Sequence, residues 1–291
     1  MKIVQGDELE WVRGLEYRGG TFHYRNLMEG TPGTIENFQL SMGRNDKDFV
    51  SPRHRHNFEQ FRFQLEGDLN FDRDGKMTPG MLGYFPEGAS YGPQTSEATA
   101  MTIVLQFGGP SGSGYLSRKE VNQGMNELRK SGTFEAGVYK RNPDAPGKRN
   151  MDGFQAIWEH MHGRPLQFPK PRYAQPIMMD QAHYEWVASE QPGVQEKLLG
   201  VFTERRAEAA MYRLTSGSTL PGAGRSVTFV CSGAGRVDNE PLRAFTTVFL
   251  DRGEKATFSA EKETEILRFG LPDLRGMSMA KPSLAHSVAA E

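Results

Sequence analysis

The sequence predicts an all-β protein made of two similar units, each a sandwich or a barrel, joined by a partly helical connector. Three observations carry that expectation. Apolar residues alternate with polar ones through most of both halves. Turn-forming residues fall between those stretches at short intervals. The second half repeats the first at a spacing of about 166 residues, counted from Gly67 to Gly233.

In the first half Phe38, Leu40 and Met42 alternate with polar neighbours, as do Phe61, Phe63 and Leu65, and then Met101, Ile103, Leu105 and Phe107. Period two over four to eight residues argues half-buried strands. Gly67-Asp68, Asp74-Gly75, Pro79-Gly80 and Pro86-Glu87-Gly88 supply the turns between them. Ser117 and Glu120 then have the spacing of a capping box, and Val121, Met125 and Leu128 follow at helical intervals, with Gly132 as the expected stop. Residues 141–150, rich in Pro, Gly and charge, read as a linker. A second helix is expected from Asp152, with Phe154, Ile157, Trp158 and Met161 on one face, and Pro165, Pro169 and Pro171 forbid its continuation. From Lys197 to Pro272 the strand pattern returns. Residues 226–233 end in a Gly turn as residues 60–67 do, and 245–253 take the place of 81–88. The expected boundaries are therefore 1–116 for the first barrel, 117–196 for the connector, 197–275 for the second barrel and 276–291 for a mobile tail.

A chain of 291 residues can bury a sizeable core without covalent staples. Lys and Arg total 35 against 36 Asp and Glu, a net charge of −1, which removes the general attraction to nucleic acid or an anionic membrane. The single cysteine, Cys231, allows neither an intrachain disulfide nor a thiolate cluster, and it reads as a small apolar filler in its strand. The first eleven residues carry acids where a secretory leader would be apolar. No run approaches the ~18 apolar residues of a membrane span. The expectation is a soluble cytoplasmic protein whose partner is a small molecule.

The stretch 51–67 carries the chemistry. His54 and His56 share one face if extended, because side-chain direction repeats every two residues. Two imidazoles so placed can chelate one divalent ion, or they can simply form hydrogen bonds. Strand parity puts Gln60, Arg62 and Gln64 on the same inner face, with Phe61, Phe63 and Leu65 on the other. A buried arginine needs a partner: either a substrate carboxylate or enolate, or an internal acid such as Glu36. His160 and His162, two apart on a helix end, do not share a face. His183 sits where it could reach either core, and His23 reads as structural.

This segment resembles the first motif of the cupin superfamily: His54-x-His56, three residues, Gln60, six residues, Gly67. The second cupin motif is met in spacing by Gly80, five residues, Pro86-x-Gly88, two residues and Tyr91. The resemblance implies two cupin-type double-stranded β-helix (jelly-roll) barrels, a bicupin. It implies a divalent transition metal, Fe(II) first and Mn, Ni, Cu or Zn next, at His54, His56, Gln60 and Tyr91. Glu and the last His of the family pattern are Gln60 and Tyr91 here, which weakens the expected ligand set. In the second barrel Leu220, Gly222, Ser226 and Ala256 fall at the places of His54, His56, Gln60 and Tyr91, so that half is expected to be structural. The functional expectation is a metal-dependent oxidoreductase, dioxygenase-like and therefore consuming dioxygen, acting on a small polar or anionic molecule. Tyr91 and Gln60 would be catalytic, and Arg62 and Gln64 would bind substrate. The alternatives are a metal-free or metal-assisted isomerase, epimerase or cyclase using Tyr91 and a histidine, and a non-catalytic binding protein. A homodimer is implied by resemblance alone.

Overall fold

The computed structural model describes residues 1–277 other than Leu15, Pro110 and Gly114. The segment 278–291, most of the expected mobile tail, lies outside the described residues. The first barrel pairs a seven-stranded sheet with a four-stranded one. The larger runs, in spatial order, Ile177–Asp180, Met81–Phe85, Glu59–Glu66, Ala100–Phe107, Phe38–Asn45, Phe22–Glu29 and Val12–Arg13. The second barrel repeats that order with Lys2–Gln5, Thr246–Leu250, Ser226–Ser232, Thr264–Gly270, Glu208–Leu214, Val194–Val201 and Val187–Ala188. Neighbouring strands are antiparallel, as short alternating segments joined by tight turns require. The all-β, two-barrel jelly-roll expectation holds.

Two strands are exchanged across the expected boundaries. Lys2–Gln5 pairs with Thr246–Leu250 in the second barrel, and Ile177–Asp180 pairs with Met81–Phe85 in the first. Each exchanged strand is followed by a 3₁₀ turn, Gly6–Glu8 or Gln181–His183, and by a short strand that returns to the edge of the sheet of its own half.

The main core lies between the barrels rather than inside either. Phe38, Leu40, Phe61, Phe63, Tyr84 and Leu105 of the first large sheet meet Phe202, Met211, Phe229, Phe249, Leu267 and Phe269 of the second. Phe61 stacks on Phe269 at 5.3 Å, and Tyr84 on Phe202 at 4.5 Å. The apolar parity of residues 61–65 is thus spent on the other barrel. The second barrel fills its own interior with Leu220, Val230, Val248, Leu250, Phe258 and Ile266. Its strand Thr219–Ala223 sets Gly222 opposite Ala256, whereas His54 stands opposite Tyr91 in the first barrel. The equivalence of Leu220 with His54 is therefore two residues out of register.

The connector forms helix α1 (Arg118–Leu128), a three-stranded sheet and helix α2 (Gly153–His162). Ser117 and Glu120 close the expected capping box. Gly132 is not the helix stop: α1 ends at Leu128, and Gly132 opens the strand Gly132–Glu135. Residues 141–150 are the loop of a β-hairpin between Val138–Arg141 and Asn150–Asp152, not a linker. Asp152 caps α2, whose Phe154, Ile157 and Trp158 are buried as the spacing predicts. Gly124 lets the helices touch, since a Cβ there would sit 2.9 Å from Met161 and 3.0 Å from Ile157.

Candidate functional site

The inner face of the first barrel sets the polar Gln60, Arg62 and Gln64, as their parity requires, among apolar residues such as Leu69, Phe71 and Phe85. It encloses a cavity of about 80 Å³, several times the ~10–15 Å³ that holds one water. His54, His56, Arg62 and Gln94 line it from the barrel, and Arg18, Arg118, Val121 and Phe154 close it from the N-terminal segment and the two helices. Arg18, Arg62 and Arg118 are among its lining residues and no acidic residue is, with the Arg118 guanidinium over the Tyr24 ring at 4.5 Å. Arg18 is neutralised from behind by Asp152 at 2.7 Å. Arg62 is not: its hydrogen-bond partners are Gln60, Gln94 and Tyr91, all neutral.

Backbone hydrogen bonds set the histidines. His54 N–H donates to Tyr91 O at 3.1 Å and His54 O accepts from Tyr91 N–H at 2.9 Å, so the two motif segments are stitched at one point. Gly88 N–H donates to His56 O at 2.7 Å. Gly88 has φ +79°, and a Cβ there would lie 2.3 Å from Pro169 O, so the turn and the passing connector both demand glycine. Arg53 holds the same turn through Ser90 O and Gly92 O, each at 2.7 Å.

The His54 Nδ1 lies 2.6 Å from Pro52 O. A carbonyl only accepts, so Nδ1 carries the proton and Nε2 keeps the lone pair. Burial, and next the Arg18 guanidinium, pull His54 down to about 3. Burial also holds His56 well below the ordinary imidazole value, with His54 and Arg18 adding to it. Both are neutral rings, 4.8 Å apart and edge to face. His56 packs between Phe58 and Phe154, and its Nδ1 is buried without a partner.

The other expected ligands are differently engaged. Gln60 Oε1 accepts from Arg62 Nε at 3.2 Å and Nη2 at 3.0 Å. Tyr91 OH accepts from Arg62 Nη2 at 2.9 Å and Gln60 Nε2 at 3.1 Å. Burial raises the Tyr91 phenol above its usual value, so it stays protonated. The guanidinium itself is boxed by Phe85, Tyr91 and Phe71, its Cζ 4.5, 5.2 and 5.6 Å from their ring centres. Gln60 and Tyr91 lie behind Arg62 and do not reach the cavity wall. Gln64 is also off the wall, donating to Glu66 O and Gly67 O and accepting from Thr102.

These residues do not fit the divalent ion that the family resemblance implies. The one oxygen Gln60 could offer is occupied, the phenol is neutral, and a guanidinium, charged in proteins, stands between both and the cavity. Among the described residues, no group of three or more His, Cys, Asp or Glu converges on a point.

The internal-acid alternative for Arg62 is overturned. Glu36 pairs with Arg252 at 2.9 Å. His160 meets Glu127 at 2.6 Å while His162 stacks on Trp158 at 4.0 Å, so they do not converge. His183 is exposed, and Cys231 is half-buried with its thiol pushed up to about 12 by burial. Arg18, Arg118 and Asp152 escaped the sequence reading, because they lie far from the motif in the chain. In the sequence Asp152 marks only a helix start.

No protein-family model matches the sequence, and no curated protein matches it. Among solved structures, a candidate dioxygenase of Nostoc punctiforme superposes with a TM-score of 0.63 at 10% identity, over 96% of this chain and 85% of that one. Bacillus subtilis oxalate decarboxylase, whose Mn(II) centres are described, gives 0.54 at 15% identity over 94% and 78%. A Geobacillus kaustophilus protein gives 0.54 at 13% over 93% and 95%. At these identities the likeness is one of fold alone. Among the described residues no helix is long and apolar enough to cross a membrane.

Proposed function

We propose that the first barrel is the active site of an enzyme acting on a small organic anion by proton transfer, as an isomerase, epimerase or cyclase does. One observation carries this reading: a cavity whose lining includes Arg18, Arg62 and Arg118 and no acidic residue. A buried cation with neutral partners is costly, and an anionic ligand offsets that cost. Arg62 anchors the anion through the one N–H that Gln60, Gln94 and Tyr91 leave free, and Arg18 and Arg118 add to the field. The negative charge of the bound anion offsets the burial and the Arg18 field that keep the free ring neutral, and His54 Nε2 then takes a proton from the carbon next to a substrate carbonyl, giving an imidazolium and an enolate. Return of that proton to another position or face completes the reaction without an oxidant. Tyr91 and Gln60 serve by holding Arg62, and the second barrel is a brace.

The test is hydrogen exchange into deuterated water, followed by proton NMR, across a panel of small enolisable acids. A substrate-specific exchange that His54→Asn lowers by ~10²–10⁴-fold, in a protein that still melts cooperatively, supports the reading. Anion binding without exchange would favour a non-catalytic binding protein. The edge-to-face pairing of His54 and His56, with the fold neighbours, favours a second reading, a metal-dependent oxidoreductase of a small anion. Elemental mass spectrometry on untagged protein decides it: near one equivalent of iron or manganese, lost in His54→Ala/His56→Ala, would establish the second reading.

A further inference from the structure

We infer that Arg62 is a built-in cation standing in for a metal ion, and that positions 60 and 62 together decide whether this pocket holds a metal or an anion. The inference rests on the anion-binding reading and goes one step further, to what excludes the ion. The two histidines are already side by side with His54 Nε2 available. What a tetrahedral or octahedral ion lacks is an oxygen donor from the strand Glu59–Glu66 and freedom from a neighbouring positive charge. Arg62 removes both at once. Its Nε and Nη2 consume Gln60 Oε1, its Nη2 consumes a lone pair of Tyr91, and its charge occupies the place between them.

The arrangement is held in place rather than incidental. Arg62 is buried on the inner face, enclosed by three aromatic rings and tied to Gln94 at 2.8 Å from the opposing small sheet. Gln60 is the residue type the pair requires. A carboxylate there would neutralise the guanidinium and remove the anion site, whereas the neutral amide accepts from Arg62 and leaves its charge uncompensated. Gln60 and Arg62 are thus one functional unit on adjacent inward positions of a single strand.

The experiment compares the full chain with Gln60→Glu/Arg62→Met, with Arg62→Lys, and with the double variant carrying His54→Ala as well. Cobalt(II) absorption and isothermal titration with Mn(II) and Zn(II) read the metal, while thermal shift with malonate and inorganic phosphate reads the anion. The wild type and Arg62→Lys should bind less than about a tenth of an equivalent of metal, and the double variant roughly one equivalent, lost again with His54→Ala. The anion-induced thermal shift should be present in the wild type and absent in the double variant. A folded double variant that takes no metal overturns this inference and leaves the anion reading standing. Stoichiometric metal in the wild type overturns both. Should the double variant not fold, Gln60→Glu/Arg62→Gln makes the same comparison with a polar side chain at position 62, and metal binding there decides in the same way.

Discussion

His54 shows how much one side chain's environment can do. Its ring is neutral because burial and Arg18 both disfavour the charged form, with a folded value of about 3 against an unfolded value near 6.5. Between those values the unfolded chain binds the extra proton, so this contribution to stability is intact above pH ~6.5 and is lost as pH falls towards 3. Thermal melts of His54→Asn should therefore lose less stability than wild type between pH 6.5 and 4. Glu59 has the opposite sign. Burial raises it to about 7, so its contribution is present below the unfolded value of ~4.5 and is lost as pH rises through 7. Glu59→Gln should flatten the alkaline side of the same curve. A pH–stability profile unchanged in both variants would contradict both assignments.

At the level of elements, the Arg18–Asp152 pair joins the N-terminal segment to the start of α2 over the cavity. Asp152 does two things: it accepts from Gln155 N–H at 3.0 Å as the helix cap and neutralises Arg18 at 2.7 Å. Asp152→Ala removes both, leaving a buried guanidinium unpaired, and should cost about 3–5 kcal/mol in denaturant unfolding. Asp152→Asn keeps an N-cap acceptor and should cost about 1 kcal/mol less than Ala does. Equal losses in the two variants would show that the cap contributes nothing. Capping box, helix faces and strand parity were all legible beforehand, because each depends on residues a few positions apart. The end of α1 was misread because Gly132 serves the following strand instead.

For the whole molecule, the interface between barrels is the principal core, and Phe61 at its centre touches Phe202 and Phe269 of the other barrel. Phe61→Ala should cost about 3–5 kcal/mol, and calorimetry should show both barrels melting together before and after the change. Separate transitions would mean that the interface does not couple them. The exchange of Lys2–Gln5 and Ile177–Asp180 adds to that coupling. It had a signature in the chain: Glu10-Trp11-Val12 recurs as Glu185-Trp186-Val187, each Trp flanked by two cations in space.

Read alone, the chain already specified two β-barrels, a histidine pair on one face, and an inward run of Gln60, Arg62 and Gln64. Those features follow from period-two alternation and fixed motif spacing, which are local properties of the backbone. The partner of Arg62 was beyond it. That Gln60, Tyr91 and Gln94 take up its N–H groups, that Glu36 lies elsewhere with Arg252, and that Arg18 and Arg118 face the same cavity depend on which strands and helices the fold brings together. Whether a buried guanidinium opposes an acid, a metal or an empty space is a matter of a few ångströms between residues tens of positions apart. Only tertiary packing settles such distances, and in this protein they set two amides and a phenol, and no acid, around Arg62.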